Sequence, residues 1–167
     1  MNAIFNRRSI RKFKDQSVEP EKIEKLLRAA MQAPSAANQQ PWEFIVVRDK
    51  AALEKLSEVS PYSKPVATSG VTFILVANEN DLIVPTAWQQ DMSAAAENLL
   101  LEATELDLGG VWFGVATSEV VTEAVGKLYA LPSHIKPFAM IAVGYPDGQS
   151  NVFVDRYKAE KVHFDKW

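Results

Sequence analysis

Residues 86–106 place apolar side chains around most of a helix's circumference, and this constrains the fold more than any other stretch. Trp88, Met92, Ala95, Ala96, Leu99, Ala103 and Leu106 fall on one stripe, and Ala94, Leu100 and Leu101 widen it beyond a surface seam. A helix covered in this way belongs at the centre of a core or is shared with a partner. Strands for it to pack on are legible nearby. Residues 71–77 are apolar at nearly every position, as in a strand buried on both faces, and residues 138–143 read the same way. Residues 42–47 and 109–114 are two further strands. Pro20 opens a helix with Ile23, Leu26, Leu27 and Ala30 at i, i+3, i+4 and i+7, and Pro34 ends it. Shorter helices are expected over 51–59 and from a Ser118 cap to about residue 129.

At 167 residues the chain fits one domain with arms, here divided as 1–150 for the domain and 151–167 for a C-terminal arm. Phe153, Tyr157, Phe164 and Trp167 give that arm four of the sixteen aromatic residues, without helical or strand periodicity. Such a tail needs a surface to cover, on its own domain or on a second subunit. The wide apolar helix favours the second, because a two-fold homodimer is the commonest way to hide a surplus of apolar surface.

Composition closes several routes. The net charge of −3 gives no drive toward nucleic acid or an anionic membrane. The absence of cysteine excludes disulfides, thiolate catalysis, dithiol redox cycling and cysteine–zinc sites. Apolar runs stop far short of the ~20 residues a spanning helix needs. No apolar stretch follows the first charges, so a secretory signal is not expected and a cytoplasmic location is. His134 and His163 lie in loop or tail without a carboxylate at ligand spacing. There is no G-x-S-x-G elbow, and Gly109 to Gly114 fits neither a dinucleotide fingerprint nor a Walker loop. Most of the twenty-one carboxylates, such as Glu97, Glu102 and Glu105, sit on exposed helix faces. Chemistry, if there is any, is expected from a bound cofactor.

Two segments suggest which kind. Arg7, Arg8, Arg11, Lys12 and Lys14 put five cations in eight residues, with Ser9 among them. A solvated basic run is the plain reading. A phosphate clamp is the sharper one, because guanidinium forks match phosphate oxygens and a hydroxyl adds a donor. If residues 3–9 form a helical turn, Arg7 and Arg11 share a face. The second segment is Pro34-Ser35-Ala36-Ala37-Asn38-Gln39-Gln40-Pro41-Trp42. Its small residues let backbone approach a flat ligand, and Asn38 and Gln40 can pair with amide edges. Together the segments point to a cofactor carrying a phosphate and a ring.

These segments resemble the FMN-dependent nitroreductase family. The opening from Arg7 to Phe13 is similar to the family's first flavin-contacting segment, 34–42 to its second, and 108–114 to its Gly-Leu-Gly-Thr-x-Trp-x-Gly-like third. Residues 137–146 resemble its last core strand, and 161–167 its tail, so the likeness runs the whole chain in order. The resemblance implies an α+β fold with a central mixed, mostly antiparallel sheet flanked by helices. It implies a domain-swapped homodimer with two FMN sites at the interface. Arg7, Ser9 and Arg11 would contact the phosphate, ribityl chain and polar ring edge, with Arg8 beside them. Pro34, Ser35, Ala36 and Asn38 would line the ring, with Gln40 nearby, from the other subunit. Gly109 and Gly110 would offer backbone N–H groups near flavin N5, and Arg156 and Lys158 would finish the phosphate cage.

The implied activity is ping-pong hydride transfer from NAD(P)H through flavin N5 to a nitroaromatic, quinone or related small acceptor, with no side chain needed as acid or base. A flavin storage or sensor protein, and a dimeric interaction module with a vestigial pocket, are the alternatives. Neither nucleic acid nor membrane is an expected partner. Two departures stand out: Asp107 occupies a position where glycine is common, and Gly110-Val111 one where Ser/Thr-Cys is common. The connection between Ala77 and Trp88 also lacks the insertion that elsewhere forms a lid.

Overall fold

Four antiparallel strands in the order β1-β2-β4-β3 form the centre of the molecule, a computed structural model that describes residues 2–167. β1 is Trp42–Val47, β2 Val71–Asn78, β3 Gly109–Gly114 and β4 Ile135–Gly144. Trp42 lies opposite Ala77, Val71 opposite Val143, and Gly109 opposite Gly144. The β2–β4 register shifts between Leu75 and Val76. The expected mixed character comes down to one isolated parallel bridge, Ser9 to Gly110.

Helices cover both faces. α2 (Pro20–Met31) and α4 (Trp88–Glu105) pack on one, against Phe73, Leu75 and Ile141. α3 (Lys50–Leu56) and α5 (Glu119–Leu128) cover the other, against Ile74, Met140 and Val111. Alternate residues of β2 and β4 thus enter two cores, which explains their nearly continuous apolar sequence. Met92, Ala95, Ala96, Leu99, Leu100 and Ala103 of α4 are all buried within this chain, while Leu101 is half-buried. Helix α3 begins after Asp49, whose carboxylate accepts the Ala52 N–H at 2.9 Å. It ends at Leu56, three residues before its expected end.

One expectation fails at the N-terminus. Helix α1 spans only Ala3–Asn6, and Arg7 already has extended geometry (φ −52°, ψ 127°). Arg7 and Arg11 therefore do not share a helix face. The physical reason lies farther along the chain: the backbone of Ser9 and Ile10 is taken up by β3, which a helix would forbid. The Ile10 N–H donates to the Gly110 carbonyl at 3.0 Å, and Phe13 bridges Pro146.

The end of α4 explains one departure from the family pattern. The Leu108 N–H reaches the Ala103 carbonyl at 2.8 Å and the Asp107 N–H reaches Thr104 at 3.3 Å, the paired bonds of a Schellman stop. Asp107 occupies the left-handed position, at φ 59°, where glycine carries no Cβ penalty. It is exposed. Asp107→Gly is expected to raise stability by about 1 kcal/mol in urea denaturation.

Nearby, Tyr145 ties β4 to the start of α2. Its hydroxyl donates to the Glu19 carboxylate at 2.7 Å and accepts from Lys22 Nζ at 2.9 Å. The Tyr145 hydrogen bond is the main cause holding Glu19 below the usual carboxylate range and Lys22 above the usual amine range. The Glu19 contribution is in place above the ordinary carboxylate value and is lost as pH falls through the lowered one.

Candidate functional site

Glycine at 109 is what allows the arginine segment to lie on the sheet. A Cβ there would fall 2.6 Å from Ile10 Cβ, whose side chain is only 1% exposed. A Cβ at Gly110 would fall 2.7 Å from Leu100 Cδ2. Both glycines are buried beneath the N-terminal segment, and the Gly110 carbonyl is already used by Ile10. They form the seat on which Arg7 to Arg11 are laid out.

The tail then clamps the segment from outside. Asn151 Oδ1 accepts the Arg8 N–H at 3.1 Å while its Nδ2 donates to the Leu108 carbonyl at 2.8 Å. Gln149 Oε1 accepts the N–H groups of Arg11 and Lys12 at 2.7 and 3.0 Å. Arg7 is anchored by Glu97 of α4 at 3.3 Å, and one Arg11 guanidinium nitrogen lies 3.5 Å from the Ser9 carbonyl. An open cleft of about 310 Å³ results, in which Arg7 and Arg8 meet Arg156 of the tail. Ser9, Arg11 and Lys158 are exposed and do not line it.

Every residue from Val152 onward is exposed. Phe153 is 61% accessible, Tyr157 73%, Phe164 84% and Trp167 100%. The arm touches its own domain chiefly near its root, where Phe153 lies 6.4 Å from Phe5, itself exposed. It does not fold back over the core.

The second segment lies elsewhere. Residues 34–41 lead into β1, an outer strand, whereas the arginines lie along β3, the outer strand on the opposite edge. Three strand spacings separate the edges, about 14 Å. Loop and arginines also sit at opposite ends of the sheet, since Trp42 pairs with Ala77, which lies opposite Lys136 near the start of β4, whereas Gly109 pairs with Gly144 at its end. The cleft of Arg7, Arg8 and Arg156 is accordingly not lined by Pro34, Ser35, Ala36, Asn38 or Gln40 of the same chain.

The loop is strained. Ala37, Asn38 and Gln40 have φ of 51°, 55° and 44°, the left-handed region that non-glycine residues avoid. Strain concentrated in one short loop is a mark of a functional segment. Ser35 Oγ accepts the Gln40 N–H at 3.0 Å, and Gln40 Nε2 donates to Asn38 Oδ1 at 2.9 Å.

The model of the nitroreductase family matches residues 4–68 and 68–145. The chain belongs to the nitroreductase family. This nitroreductase-family chain is 51% identical to a crystal structure from Clostridium acetobutylicum, provisionally named an NADH oxidase, with a TM-score of 0.98 over 99% of each chain. It is 41% identical, over its full length and 87% of the relative, to a protein of Methanothermobacter thermautotrophicus provisionally named NADH dehydrogenase/NAD(P)H nitroreductase. A protein of Desulfovibrio desulfuricans provisionally named a nitroreductase, solved in complex with FMN, is 30% identical with a TM-score of 0.84, over 99% of this chain and 95% of that one.

Sequence reading missed the residues that hold the two segments in place: Glu97, Gln149 and Asn151 at the arginines, and, at the loop, Gln39 and Asp91, which bond to each other while Asp91 also accepts the Ala36 N–H. Only Asp91 carried a signal. It stands three residues after Trp88 and four before Ala95, a carboxylate on the apolar stripe of α4. The other four are ordinary polar residues whose partners lie far off in sequence. Among the described residues no cluster suited to a metal ion occurs, and no helix is long and apolar enough to cross a membrane.

Proposed function

We propose that the chain is an FMN-dependent oxidoreductase drawing on NAD(P)H and acting as a homodimer. The observation that carries the reading is the cleft where Arg7, Arg8 and Arg156 converge, in a chain of this family. Three guanidinium groups suit a phosphomonoester dianion, and the open apolar flank made by Ile4, Phe5 and Phe153 suits a longer ligand extending from it. When bound, FMN would supply the two-electron carrier between NAD(P)H and a nitroaromatic, quinone or related acceptor, in ping-pong order.

The chain's own residues bind, orient and shield. Arg7, Arg8 and Arg156 neutralise the phosphate, with Ser9, Arg11 and Lys158 at its margin. Gly109 and Gly110 seat the arginine segment. The strained loop, with Pro34, Ser35, Ala36, Asn38 and Gln40, comes from the second copy, since it does not line the arginine cleft of its own chain. The exposed arm fits the same arrangement, since it offers four aromatic side chains to a neighbour.

Arg156→Ala is expected to weaken FMN binding by about 10- to 100-fold, the scale of one charge-assisted contact. Affinity should also fall as salt rises, more steeply in the wild type than in the variant. Titration followed by flavin fluorescence measures both. Unchanged affinity and unchanged salt dependence would remove Arg156 from the phosphate site.

A further inference from the structure

Gln39 is 7% exposed and Asp91 4%, and together they join the 36–39 loop to residues 83–84 and to the start of α4, some 44 to 55 positions further along the chain. Asp91 Oδ1 accepts the Ala36 N–H at 2.9 Å, and its Oδ2 accepts from Gln39 Nε2. Gln39 Oε1 accepts the N–H groups of both Ile83 and Val84 at 2.8 Å. We infer that Asp91 is a positioning residue: its carboxylate fixes the Gln39 amide in one orientation, and that amide holds the strained loop and the 83–84 segment in a binding-ready shape. The inference rests on the FMN reading above and deepens it by naming what preforms the ring-side wall.

The donors and acceptors of the pair admit one arrangement. A carboxylate only accepts, so Gln39 must turn its NH₂ toward Asp91 and its oxygen toward the two backbone donors. In Asp91→Asn, keeping the Ala36 bond points the introduced NH₂ at Gln39 Nε2, donor against donor. Flipping Gln39 then sets its NH₂ against the Ile83 and Val84 N–H groups, and flipping the introduced amide abandons Ala36. Every arrangement leaves a buried group unpaired. Gln39→Glu alone sets two buried carboxylates face to face. The double variant Asp91→Asn/Gln39→Glu restores the other pairings: the new amide serves Ala36 and donates to the new carboxylate, which still accepts from Ile83 and Val84, and only the long 3.4 Å bond from Gln39 Nε2 to the Val84 carbonyl is lost. Asn38 tolerates positive φ, but Ala37 and Gln40 are not residues that favour it, so the loop draws on support beyond its own Ser35–Gln40 and Gln40–Asn38 bonds.

The test compares wild type, both single variants and the double variant. Amide hydrogen exchange of the FMN-free proteins reports protection across 35–40 and 83–84, and fluorescence titration reports FMN affinity. Each single variant is expected to lose protection in both segments and to bind FMN about tenfold or more weakly. The double variant should return both measures to within about threefold of wild type. Unaltered protection in Asp91→Asn, or a double variant no better than either single one, would overturn the assignment. Should a single variant fail to fold, the double decides: folded and protected supports the pairing, unfolded overturns it. If the wild type itself takes up no FMN, the functional reading fails, while the exchange pattern still settles the role of Asp91.

Discussion

Gly109→Ala is expected to destabilise the protein by about 3 kcal/mol and to abolish FMN retention on gel filtration. The added Cβ would meet Ile10 Cβ, Cγ1 and Cγ2 at 2.6 to 2.7 Å. These are the branch atoms of a β-branched side chain, next to backbone, and no rotamer moves all three away. Ile10 must therefore lift out of the second core cluster, taking with it the Ser9–Gly110 bridge and the hydrogen bond that lays the arginines along β3. Gly110→Ala supplies the contrast. Its Cβ would meet only the far end of Leu100 at 2.7 Å, which can give way, so a loss of about 1 kcal/mol is expected. Urea denaturation of the two variants separates them. Equal effects would mean that the arginine segment does not depend on close approach at Gly109.

The second large effect is expected from ending the chain after Gly148. This removes Gln149 and Asn151, which hold the backbone of Arg8, Arg11 and Lys12, together with Arg156 and the four exposed aromatics of the arm. The truncated protein should sediment as a monomer, and its FMN affinity should fall by about 100-fold or more, as two or more charge-assisted contacts are lost together. The sheet and both cores contain no residue beyond Tyr145, so the remaining domain should stay folded by circular dichroism. A truncated chain that still dimerises and still holds FMN would detach the arm from both roles.

The sheet is legible in the sequence because β2 and β4 are buried on both faces and announce it with nearly continuous apolar runs. The central helix is legible for the same reason. Its stripe of Met92, Ala95, Leu99 and Ala103 is buried in this chain alone. The arginines and the 34–42 loop are visible as composition, as are the glycines that open β3. What sequence does not convey is long-range polar pairing. Asp91 meets Ala36 across 55 positions and Asn151 meets Arg8 across 143. The short α1 escapes a local reading for a related reason: spacing permits a helix through Arg7, and only the distant β3 strand draws Ser9 and Ile10 into extended form. Likewise Asp107 gives no hint in sequence of its left-handed backbone, which the end of α4 imposes.

The most direct test of the central claim is a visible absorption spectrum of the purified protein after FMN addition and desalting, followed by anaerobic titration with NADH and NADPH. A flavin band that survives desalting at one per chain, and bleaches on titration with at least one of the two nucleotides, is the predicted result. Restoration of the band by a quinone or nitroaromatic would complete it. A colourless protein would contradict the account, and a yellow one that neither nucleotide reduces would leave flavin storage in place of catalysis.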